Sequence, residues 1–136
     1  MSKIFIDTNI LTYTVDNNDK AKQKKCRNVL RTIIKNNNGV ISTQVLQEFF
    51  VAMTKKLGIN PLNAKDILHS FRNFETVIIT PDMINSAVDC SILKNLSFWD
   101  SLIVVSAEHA KCTCLFTEDL NAGQIINGVE IVNPMV

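Results

Sequence analysis

KIFIDTNILTYTV, residues 3–15, changes its hydrophobic period at a single residue. Up to Ile6 it is a short apolar run that reads as a strand, and the stretch TNILTYTV after Asp7 is compatible with a helix. A strand that hands over to a helix through an acidic residue is the opening of an α/β unit. It sets Asp7 at the strand's carboxyl end, where open parallel sheets hold their ligands.

Working outward, the same alternation repeats. From Lys20 to Lys35 the residues Cys26, Val29, Leu30, Ile33 and Ile34 recur at helical spacing until the Asn36–Gly39 run ends them. Val40 to Ser42 predicts a second strand. TQVLQEFFVAMTKKLG then carries Val45, Leu46, Phe49, Phe50, Met53 and Leu57 on one helical stripe, with Gly58 as its stop. Pro61 to Phe71 fits a helix and Thr76 to Ile79 a strand. Thr80 and Pro81 supply an N-cap and first helical position for residues 81–94. Ser97 opens a strongly apolar helix through Ala110, and strands follow at Cys112–Phe116 and Val129–Val132. This order predicts one three-layer α/β/α domain over residues 1–136, with a central, mainly parallel sheet of about four to five strands.

Composition agrees with one folded domain: 136 residues, 46% apolar and 20% charged. No run approaches membrane-spanning length and no secretory signal opens the chain, so a cytoplasmic protein without a membrane partner is expected. Cys26, Cys90, Cys112 and Cys114 show no paired spacing and read as reduced, mostly buried thiols. A formal net charge of +1 gives no global attraction to nucleic acid, so any such contact needs a local basic patch.

Four acids stand out. Asp7 and Asp119 each sit just past a strand, although an Asp there also serves as an N-cap. Asp100 projects between Ile103, Val104 and Ala107 on the apolar side of its helix. It also completes an S-x-x-D capping box with Ser97, and the two roles are compatible. Glu48 falls roughly 60° outside its helix's apolar stripe, where an exposed helix residue is the ordinary reading. Two carboxylates about 4 Å apart repel by roughly 4 kcal/mol at an effective dielectric near 20, so four in one cleft require protons or a cation. An oxygen-only set selects a hard cation, Mg²⁺ or Mn²⁺. His69 and His109 lack paired ligand spacing and stay outside the set.

IFIDTNIL, STQVLQEFF, FWDSLIVVSA and LFTEDLNAGQIINGVEIVNP, taken in order, resemble the successive motifs of PIN domains over nearly the whole chain. The similarity is to the VapC-type toxins of bacterial toxin–antitoxin pairs. It implies a PIN-like fold and a metal-dependent ribonuclease leaving 5′-phosphate and 3′-hydroxyl ends. The four acids of that pattern fall on Asp7, Glu48, Asp100 and Asp119, and Asn9 and Thr117 match its polar accessory positions. Asp7, Asp100 and Asp119 are expected mainly to bind metal. Glu48 either ligates metal or handles the attacking water, and Glu118 is a bystander. The resemblance also implies a homodimer and a small antitoxin that inserts basic side chains near the acids.

Lys20, Lys24, Arg27, Arg31 and Lys35 share an arc of about 80° on their helix, a stripe suited either to RNA phosphates or to plain solvation. Phe49, Phe50, Phe71, Phe74, Phe98 and Trp99 follow apolar spacing and are expected in the core. Rival readings are a non-toxin PIN or flap-type nuclease acting in RNA processing or on DNA, and an inactive binding module. A receiver-like Mg²⁺ switch lacks its parts: VII is followed by Thr80 and Pro81, and no Lys follows Lys111.

Overall fold

The computed structural model describes residues 2–136. Its elements in chain order are β1 Ile4–Ile6, α1 Thr8–Val15, α2 Lys20–Asn36, β2 Gly39–Ser42, α3 Thr43–Val51, which runs on into a π-helical turn Ala52–Lys56, and α4 Pro61–Ser70. Then come β3 Glu75–Val77, α5 Pro81–Lys94, α6 Phe98–His109, β4 Cys114–Phe116, β5 Ile125–Ile126 and β6 Val129–Val132.

Local chemistry sets the helix ends. Asp7, Asp19, Ser42, Asn60, Thr80 and Ser97 each accept a backbone N–H at the start of the helix they precede, satisfying donors that lack an intrahelical partner. Asn37 and Asn95 end α2 and α5 in the left-handed conformation, at φ 51° and 54°. Gly39 opens β2 because a Cβ there would stand 2.6 Å from Ile33 Cγ2 and 2.8 Å from the Phe74 ring.

The sheet runs β3-β2-β1-β4-β6-β5, parallel throughout except for β5 against β6. The mainly parallel plan is the one the sequence predicts. The sixth strand is β5, two residues joined to β6 through Asn127 and Gly128, whose φ values of 52° and 81° fit a tight hairpin turn. The first two crossovers step from β1 to β2 to β3, and the third returns to β4 on the other side of β1. Right-handed crossovers of opposite direction put their helices on opposite faces. Accordingly α1 packs on α2 and α3, and α3 on α4, while α5 packs on α6, which crosses β2, β4 and β6.

Phe5, Ile6, Ile10, Leu11, Ile41, Val45, Phe49, Leu115 and Ile131 are essentially fully buried. Side chains of this size each contribute roughly 1.5–3 kcal/mol. Phe49 and Phe71 join this core, and Phe50, Phe74 and Phe98 pack partly against it. Trp99 departs from the expectation: in the first turn of α6 it is 62% exposed, in the lining of an open cleft and not in the core. The four cysteines are free thiols, three buried and Cys114 half-buried. Burial pushes Cys26 up to about 11 and Cys112 up to about 12, which leaves them protonated and unreactive. Among the described residues no helix is long and apolar enough to cross a membrane.

Candidate active site

Between β1 and β4 the chain order reverses, and a crevice opens there beyond the strands' carboxyl ends. A cleft of about 710 Å³ occupies this place, and Asp7, Glu48, Asp100 and Asp119 all line it. Four acids from four separated segments therefore meet one cavity.

Asp7 is buried at the end of β1. Its Oδ1 accepts the Thr8 N–H at 2.7 Å, and its Oδ2 accepts the Thr117 hydroxyl at 2.8 Å. The capping role considered from the sequence thus coexists with a place in the cleft. Burial pushes its pKa up to about 7. The bonds from Thr117 and Thr8 oppose that shift, and the nearby charges of Asp119 and Glu48 add to it. Thr117, itself fully buried, also accepts the Asp119 N–H at 3.1 Å. Asn9 Nδ2 donates to Asp119 Oδ2 at 2.9 Å and to Thr117 Oγ1 at 3.3 Å. The two accessory positions thereby lock the β1 and β4 ends into one hydrogen-bonded unit.

Glu48, also in the cleft lining, is half-buried, not an exposed helix residue. Its Oε1 accepts the Thr8 hydroxyl at 2.8 Å and its Oε2 accepts Gln44 Nε2 at 3.3 Å. Ser97 caps α6 by accepting the Asp100 N–H at 3.1 Å, a bond that uses the backbone and leaves the carboxylate at the cleft. Partial burial raises the Asp100 pKa, the Ser97 side chain opposes the shift, and Asp119 adds to it.

Glu118 lines the same cleft but is engaged with partners other than the four acids. It accepts the Tyr13 hydroxyl at 2.6 Å and pairs with Lys22 at 3.3 Å, and Lys22 also lies 4.8 Å from the Tyr13 ring centre. None of Lys20, Lys24, Arg27, Arg31 and Lys35 lines the cleft; among the described residues its lining holds one cation, Lys56. Arg27 instead donates to the Thr14 carbonyl at 2.8 Å and Arg31 to Asn28 at 2.9 Å. His69 and His109 are exposed and do not line the cleft. Thr8, Gln44 and Lys56 are cleft residues the sequence reading missed, though the i, i+4 spacing of Gln44 to Glu48 was visible.

The donor set suits a hard cation: carboxylate, hydroxyl and amide oxygens with no sulfur or imidazole. Among the described residues no three carboxylate, thiol or imidazole groups are close enough to enclose a metal ion on their own. The convergence is therefore one shared cleft, not one tight cage. That suits Mg²⁺, which keeps several waters and takes one or two carboxylates. A dication beside Asp7 would favour its charged form against the cost of burial. Two amide oxygens in the cleft lining, Asn9 Oδ1 and Gln44 Oε1, are buried with no hydrogen-bond partner among the described residues. Such a group costs about 1–3 kcal/mol, a penalty met at functional sites.

A family model described as PIN domain matches residues 4–125. No curated protein matches by sequence. Solved structures do match in fold. Mycobacterium tuberculosis VapC20, described as a sarcin–ricin loop cleaving toxin, is 17% identical at a TM-score of 0.72, over 86% of this chain and 92% of its own. A toxin–antitoxin complex from Klebsiella pneumoniae is 21% identical at 0.72, over 98% of each chain. DNA-bound VapBC from Salmonella typhimurium is 19% identical at 0.67, over 96% of this chain and 97% of its own.

Proposed function

This chain belongs to the PIN domain family, and from that premise we propose that it is a metal-dependent endoribonuclease, the toxin of a VapBC-type toxin–antitoxin pair. The observation that carries this reading is the meeting of Asp7, Glu48, Asp100 and Asp119 in one cleft at the sheet's switch point. When bound there, Mg²⁺ or Mn²⁺ supplies an activated water and neutralises charge on the phosphodiester.

Asp7, Asp100 and Asp119 would hold the cation, directly or through water. Thr117 and Asn9 orient two of these carboxylates through bonds of 2.8 and 2.9 Å. Glu48, held on both oxygens, faces the cleft ready to position or deprotonate the attacking water. Lys56 is the lining residue placed to offset phosphate charge. The α2 stripe, Lys20 to Lys35, is left with a supporting part on RNA outside the cleft.

The fold shared with the VapBC structures supports a small antitoxin as partner. An acidic cleft accepts the basic side chains of such an inhibitor. For the homodimer, α5 offers a second apolar stripe besides its buried Met83, Ala87 and Cys90. Ile84, Val88 and Ile92 lie at i, i+4 and i+8 with exposures of 42, 42 and 73%. A cytoplasmic setting goes with this reading.

The test is cleavage of single-stranded RNA beside DNA of the same sequence, with Mg²⁺ or Mn²⁺ and with chelator. Metal-dependent RNA cuts with 5′-phosphate ends, lost in Asp7→Asn and in chelator, are expected. Preferential cutting of DNA would move the assignment to a flap-type nuclease. Cleavage that persists in chelator would remove the metal from the proposal.

A further inference from the structure

Asn9 and Gln44 are two primary amides in the cleft lining, and they are used alike. Each commits its –NH₂ to the acid set and leaves its carbonyl oxygen buried without a partner among the described residues. Gln44, only 4% exposed, donates from Nε2 to Glu48 Oε2 at 3.3 Å and to the Trp99 carbonyl at 3.2 Å. That carbonyl belongs to the peptide unit joining Trp99 to Asp100. The N–H of the same unit is held by Ser97 Oγ at 3.1 Å. The peptide that carries Asp100 is thus gripped at both ends, and one grip also holds Glu48.

From this we infer that Gln44 is a positioning residue, fixing Glu48 and Asp100 relative to each other as Asn9 fixes Asp119. The inference rests on the nuclease reading for its catalytic consequence. An amide suits the task because it offers two donors without charge. Lysine or arginine there would pair with the acids and compete with a metal ion. A residue chosen for stability alone would not bury an unpartnered acceptor. Gln44 is therefore expected to cost stability while serving the site.

Gln44→Met keeps the length and removes both donors, and Gln44→Glu keeps the shape while placing a carboxylate against Glu48. Measured on the full chain, Gln44→Met should melt at or above the wild-type temperature. Its kcat on single-stranded RNA should fall about 10- to 100-fold, the effect of losing a group that orients a ligand, with KM changed less than about threefold. Its Mn²⁺ affinity, read by calorimetry without substrate, should fall at least about threefold. Gln44→Glu should lose more activity than Gln44→Met. Activity within about twofold of wild type in Gln44→Met, or a loss that tracks a lowered melting temperature with unchanged Mn²⁺ affinity, would overturn the assignment. A wild type that binds Mn²⁺ but leaves RNA intact would refute the nuclease reading alone, and weakened Mn²⁺ binding in Gln44→Met would still uphold the positioning role.

Discussion

The two walls of the cleft carry the same chemistry in different states of preparation. On the switch-point wall Asp7 is buried, with each oxygen already accepting a hydrogen bond, and Thr117 and Asn9 tie it to Asp119. On the other, Asp100 is half-buried and is positioned through its backbone, while Glu48 is held by groups from α1 and α3. The first is tied together by hydrogen bonds at the ends of β1 and β4 and the start of α1, and the second is set by side chains of α1, α3 and the α6 cap. Burial raises the pKa of Asp7 to about 7, so a cation bound beside it would offset a burial cost.

That contrast is sharpest in activity. Asp7→Asn should reduce RNA cleavage by about 10³-fold or more while the protein stays folded, since it removes charge from the most buried position. Asp100→Asn should also abolish measurable cleavage but alter stability little. Retained turnover in both variants would break the account of the cleft.

Stability against pH separates the walls next. Asp7 has a folded pKa near 7 against an ordinary value of 3.8, so the folded state holds this proton more tightly. Its contribution to stability is fully present below about pH 4 and declines as pH rises toward 7. At about 1.4 kcal/mol per unit over roughly three units, the decline is on the order of 4 kcal/mol. Chemical denaturation of wild type and Asp7→Asn at pH 5 and pH 8 should show the variant gaining relative stability at the higher pH. Added Mn²⁺ should restore the wild type at pH 8. Parallel pH curves would mean that Asp7 carries no unusual burial cost.

A smaller effect comes from the groups that orient the acids. Asn9→Ala should lower kcat about 10- to 100-fold by releasing Asp119 and Thr117. Thr8→Val, which cuts the bond to Glu48, should cost less, since Gln44 keeps the other oxygen. Equal losses in steady-state kinetics would erase the difference between the walls.

Smallest is the contribution of surface charge. Lys56→Ala should weaken RNA binding and reduce the slope of log K against log salt by about one. Lys24→Ala and Arg31→Ala, outside the cleft lining, should each change that slope by less. The reverse order would return the RNA track to α2.

Much of this was legible in the chain. The change of period at Asp7 and the strand before Asp119 place both acids at the sheet's carboxyl edge. The apolar surroundings of Asp100 mark a carboxylate that is not simply solvated. Glu48 was harder, because a helical wheel tells an apolar stripe from its flank but cannot tell bulk water from a cleft wall supplied by α1. The same blindness hid Gln44 and the direction of the α2 stripe. Trp99 shared the apolar spacing of a core residue yet lines the open cleft. The hairpin of β5 was signalled by Asn127–Gly128 between Ile126 and Val129, a strong turn signal whose strand is only two residues long.

The most direct test of the central claim is an anomalous-difference map from crystals soaked in Mn²⁺ at pH 8. The account predicts a peak inside the cleft, with an Asp7 carboxylate oxygen at a ligand distance of about 2.0–2.3 Å or one water removed, and with Asp100 or Asp119 as a further ligand. An empty cleft in a preparation that cleaves RNA, or a peak elsewhere with none beside Asp7, would contradict it.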